Sequence, residues 1–137
     1  MAAETLYWPE DLTVPEVGQE KTPSEFLHES AQQLTEKTDR LLVGNVENDS
    51  WGEYLVYDFI VVAPNLSDYT YRLFKVRHKL NPYPSEFIFN GHVSKAPDPA
   101  AFEKKLREIL SSVTTRRAIT EMIQYSREKE ERAGATV

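Results

Sequence analysis

The sequence predicts an α+β domain: one N-terminal helix, a four-stranded antiparallel meander, and two C-terminal helices packed on one face of the sheet. Three observations point there. A helix-start signal at Thr22-Pro23-Ser24-Glu25 opens an apolar pattern at three- to four-residue spacing. Between residues 41 and 93 that period gives way to β-branched and aromatic runs divided by short turn-rich breaks. After Asp98 the helical period returns.

Residues 1–21 carry Pro9, Pro15 and Gly18 with no helical period, yet include Leu6, Tyr7, Trp8, Leu12, Val14 and Val17. The expectation is an extended arm that packs on its own domain or on a partner, because a purely solvated leader rarely carries Tyr-Trp. The domain itself is expected over residues 22–126. Its first helix has Thr22 as N-cap, Pro23 at the first helical position and Glu25 two residues on, a capping box with proline in its favoured place. Phe26, Leu27, Ala31, Leu34 and, after a gap, Leu41 supply the buried stripe, and the helix should stop near Asp39.

A short strand is expected at residues 41–47, then a turn cluster at Asn48-Asp-Ser-Trp-Gly52. A long strand runs from Glu53 to Ala63 and a second from Tyr69 to Leu80, separated by Pro64-Asn-Leu-Ser-Asp68. Asn81-Pro-Tyr-Pro84 breaks the second, and residues 85–93 form the fourth. Short connections between neighbours imply an antiparallel meander. Asp98-Pro99 then caps a helix with Phe102, Leu106, Ile109 and Leu110 on one face. A break at residues 111–114 precedes a third helix, whose stripe is Ala118, Ile119, Met122 and Ile123. Residues 127–137 read as a charged helix end and tail.

Composition narrows the function classes. A chain of 137 residues that is 40% hydrophobic and 28% charged is one ordinary globular domain. It has no cysteine, which removes disulfides, thiolate metal sites and cysteine nucleophiles and suits a reducing cytoplasm. The opening residues lack the basic and apolar regions of a signal peptide, and no run approaches the length of a membrane span. The formal charge is −6, with basic residues scattered, so backbone binding of nucleic acid is disfavoured, and the acidic surface suits either solubility alone or a basic protein partner. The histidines His28, His78 and His92 show no ligand spacing, so neither a metal nor a cofactor is expected. No phosphate-binding loop or nucleophile elbow is present.

With the hairpin turning at residues 65–67, Val62 pairs with Thr70, Ile60 with Arg72, Asp58 with Phe74, Val56 with Val76 and Tyr54 with His78. One face then holds Asp58, Arg72 and His78 among apolar residues. The other holds Tyr57, Phe59, Tyr69 and Tyr71 with Lys75 and Arg77. A slip of one residue would exchange faces. Both faces are rich in large apolar groups, so each needs a cover. Asp58 and Arg72 lie diagonally at about 7–8 Å between backbones and are expected to pair.

Three functional readings follow. The first is a non-enzymatic interaction module, of the inhibitor, immunity-protein or antitoxin-like kind. It would dock a protein partner, or a second copy of the chain, through Trp8, Tyr57, Phe59, Tyr69 and Tyr71. The second is a small-molecule binder with a pocket between sheet and helices, anchored by Asp58, Arg72 and His78. The third is an enzyme using Asp58 or His78 as acid or base, for which no catalytic constellation is legible.

Overall fold

The computed structural model describes Tyr7 and residues 20–135. The elements run α1 (Pro23–Lys37), β1 (Val43–Trp51), β2 (Tyr54–Ala63), a single 3-10 turn (Pro64–Leu66), β3 (Tyr69–His78), β4 (Ser85–Phe89), β5 (His92–Ala96), α2 (Pro99–Leu110) and α3 (Val113–Ala135). The sheet is a five-stranded antiparallel meander in the order β1-β2-β3-β4-β5. The expected fourth strand is two strands. Asn90 and Gly91 both take positive φ, 51° and 75°, and close a two-residue hairpin loop between Phe89 and His92. Asn-Gly is the strongest short hairpin signal in a sequence, because such a loop demands two left-handed residues.

The helix starts follow the capping chemistry. Thr22 Oγ1 accepts from the Glu25 amide at 3.2 Å, and Asp98 Oδ1 accepts from the Ala101 amide at 2.8 Å. The strand bounds are less well foreseen. β1 runs on through Asn48, Asp49 and Ser50, where a turn is expected, and each pairs with β2 (Tyr57, Val56 and Leu55). A strongly β-forming partner strand overrides weak local propensity. The turn falls later, at Gly52-Glu53, with Gly52 at φ 61°. β3 stops at His78, two residues short of the expected Leu80.

The β2–β3 register begins as expected, with Val62 opposite Thr70 and Ile60 opposite Arg72. A β-bulge then intervenes: Phe59 faces Phe74, Asp58 faces Lys75, Val56 faces Arg77 and Leu55 faces His78. Leu73 is the extra residue, so Leu73 and Phe74 both turn to the same side. Phe74, Val76 and His78 therefore join Tyr57 and Phe59, while Lys75 and Arg77 cross to the face of Asp58, opposite to the expected assignment.

All three helices cover the face of Tyr57 and Phe59. One core unites Phe26, Leu27 and Ala31 of α1, Phe102, Leu106 and Ile109 of α2 and Met122 of α3 with Phe59, Val61, Phe74, Val76 and Phe87 of the sheet. Its aromatic centre is a run of ring contacts: Phe59 to Phe74 at 5.1 Å, Phe74 to Phe87 at 5.9 Å and Phe87 to Phe102 at 4.6 Å. α1 crosses β1 at Gly44, where a Cβ would lie 2.8 Å from Ala31 Cα, so only glycine permits this approach. Thr35 Oγ1 accepts from the Gly44 amide at 2.9 Å and fixes the crossing. At the other end Tyr83 donates its hydroxyl proton to Lys21 O at 2.6 Å, tying the lead-in of α1 to the loop before β4. α3 continues as helix through the expected tail, and its Ser126 carbonyl accepts from Asn65 Nδ2 at 3.3 Å.

Candidate functional site

The residues expected to dock a partner divide into two groups, with Trp8 outside the described residues. Phe59 and Tyr57 are buried, at 1% and 9% exposure, beneath the helices. They are core, because the helices occupy the aromatic face itself. Burial pushes the Tyr57 phenol above its ordinary range, offset in part by a hydrogen bond with Ser24. Tyr69 and Tyr71 lie further along β3, past the edge of the core. Tyr69 is exposed and Tyr71 half-buried.

These two tyrosines form one wall of an open groove of about 490 Å3 between the start of β3 and α3. Leu66 of the 3-10 turn completes that wall. The opposite wall is a row at four-residue spacing along α3: Val113, Arg117, Glu121 and Tyr125. Ala118 and Met122 lie at its base. Val113 is 72% exposed, Tyr125 55% and Tyr69 53%, so large apolar surface stands on both rims. The sequence reading found the β3 side and missed the helical one. The signal was present as that four-residue row, which lies beside the stripe of buried Met122 and half-buried Ala118, Ile119 and Ile123.

Asp58, Arg72 and His78 do not share a pocket. The bulge sends His78 to the helix side, where its ring lies tilted against Tyr57 at 5.6 Å between centroids and Nδ1 donates to Lys79 O at 2.5 Å. Asp58 stays on the outer face with its carboxylate 4.0 Å from Arg72 and 3.8 Å from Lys75. The Arg72 pair is the expected diagonal contact; the Lys75 pair arises from the bulge. Both cations are substantially exposed while Asp58 is buried, so the carboxylate is the anchored member and the cations reach over it. Beside it, Arg77 Nη2 donates to Glu86 Oε2 at 2.9 Å. An acid–base pair of Asp58 and His78 would require both on one side of the sheet.

Among the described residues, no three or more of His, Asp and Glu gather as metal ligands do, and no helix is long and apolar enough to cross a membrane. Comparison of the chain with protein-family models, curated proteins and solved structures gives no match.

Proposed function

We propose that the protein is a non-enzymatic interaction module whose docking surface is the groove between β3 and α3. The observation that carries this reading is the clustering of Tyr69, Tyr125 and Val113, all largely exposed, around one open cleft. Exposed aromatics at a well-shaped cleft are the usual anchors of protein interfaces, since they bury much area at small entropic cost. The partner is a protein segment bearing an apolar anchor flanked by basic residues. The anchor suits the base of Ala118 and Met122 between the tyrosine walls. The basic flanks suit Glu121, which shares the groove wall with Arg117, and the net charge of −6. Inhibitor, immunity-protein and antitoxin-like binders share this mode of action.

The test compares the wild-type chain with Tyr69→Ala/Tyr125→Ala and with Leu80→Ala, whose side chain is 89% exposed away from the groove. Each is used for quantitative affinity purification from the cells that make it, followed by titration of the enriched partner. A basic partner retained by Leu80→Ala and weakened at least tenfold by the double variant supports the reading. A partner set indifferent to the groove substitutions overturns it.

A further inference from the structure

A second cleft lies on the other side of α3, between that helix, α1, the end of α2 and the sheet. Its volume is about 420 Å3, within the range of small-molecule sites. The base is Phe59 and Leu73, both buried. Half-buried Leu34, Leu110 and Ile119 form the walls. The charged groups lining it are Lys37 and Arg116, both cationic. No carboxylate lines it, although the chain carries 22 acidic residues against 16 basic ones. Neither cation is engaged in any ion pair among the described residues.

We infer that this cleft binds an amphipathic monocarboxylate, with an unbranched aliphatic chain on Phe59 and Leu73 and its carboxylate at Arg116 and Lys37. The base offers no hydrogen-bonding group, so it rewards a hydrocarbon chain. The mouth offers a planar guanidinium, which takes a carboxylate through two parallel hydrogen bonds. Arg116 also sits in the first turn of α3, where the helix end adds partial positive charge. Lys37 lies in the last turn of α1 and shares its charge with that helix's carbonyl end. Arg116 is therefore the stronger anchor. Thr120 is exposed and adds a hydroxyl to the lining, whereas Thr115 is buried and its Oγ1 accepts from Ser112 Oγ at 3.1 Å. The tyrosine groove differs on each count: its charges are mixed, and its aromatic rims suit a peptide.

The site is tested by methyl NMR on the full chain, titrated with decanoate below its micelle concentration and, separately, with decylamine and decanol. The expected result is saturable shifts at the methyls of Leu34, Leu73, Leu110 and Ile119 with decanoate, and binding at least tenfold weaker with the amine and the alcohol. Arg116→Gln should weaken decanoate about tenfold and Lys37→Gln by less, each with an unchanged melting temperature. Ile119→Trp, which fills the mouth, should abolish the shifts. Shifts centred on Val113 and Leu66, or none that saturate, overturn the site. Equal binding of decanoate and decylamine overturns the carboxylate assignment.

Discussion

The two faces of the sheet are built from the same strands and obey different rules. On the helix side, every inward position of β2 from Tyr57 to Ala63 meets apolar neighbours, and rings stack from Phe59 to Phe102. On the outer side, Val56 and Ile60 are buried too, but they alternate with Asp58, and the adjoining β3 positions are Arg72, Lys75 and Arg77. The first face holds by volume, so loss of atoms or excess of atoms is felt directly. The second holds by cations that lean across a carboxylate while remaining in water, where electrostatic gains are small. Burial alone does not separate these faces, since Asp58 on the outer side is as buried as Tyr57 on the helix side, at 8% and 9%. What lies opposite the residue does.

Substitutions should rank accordingly, and urea unfolding of each variant measures the ranking. Phe59→Ala removes the central ring of the helix-side core and should cost about 4 kcal/mol. Gly44→Ala places a methyl group against the backbone of Ala31, which has no rotamer with which to yield, and should cost about 3 kcal/mol. Should Gly44→Ala prove harmless, α1 is not pressed onto β1 and the helix side is less volume-limited than stated.

Tyr83→Phe removes one hydrogen bond at the margin of the core and should cost about 1 kcal/mol. It also changes the alkaline limb of stability. Burial, then the carboxylates of Glu20, Glu25 and Asp98, push the Tyr83 phenol up to about 12 from an ordinary 10.0. Between those values the folded chain holds a proton that the unfolded chain has lost. Its contribution is whole below pH 10 and falls away as pH rises toward 12. Tyr57, shifted upward as well, acts in the same direction. Tyr83→Phe should flatten that decline to the part owed to Tyr57; an unaltered alkaline limb would remove Tyr83 from it.

Asp58→Asn should give the smallest change, under about 1 kcal/mol, because its cations remain solvated when the charge is removed. The difference from wild type should shrink further in added salt. A loss of several kcal/mol would place the outer face under the same rule as the core.

The contrast also explains which parts of the architecture were legible. Helix starts are written in two or three adjacent residues, so Thr22-Pro23 and Asp98-Pro99 could be read directly. The β2–β3 turn was readable from Pro64 to Asp68, and the first pairs beyond it followed. The β4–β5 hairpin was equally local in Asn90-Gly91 but was passed over within an apolar run. β1 was a different problem: its reach to Trp51 depends on β2 lying alongside, which no window around Asn48 contains. The bulge was marked only by the apolar doublet Leu73-Phe74, and missing it placed His78 beside Asp58. The tyrosine groove was half legible, since Tyr69 and Tyr71 signal an aromatic wall, but the opposing α3 row comes more than forty residues later.

The bulge bears on how this chain can change length. Along β3, inward side chains are Tyr69, Tyr71 and Leu73 and then, without a step between, Phe74, Val76 and His78. Excision of Leu73 alone restores strict alternation from Tyr69 to His78, with every remaining inward residue still inward. Excision of Lys75 or Val76 instead reverses everything downstream, unless the strand slips to compensate. Single-residue deletions that keep the faces are thus confined to the Leu73-Phe74 doublet, and Leu73 is part of the base of the cleft beside Arg116. A homologue lacking Leu73 would keep the fold and the tyrosine groove while giving up one of the two apolar residues at the base of the second site.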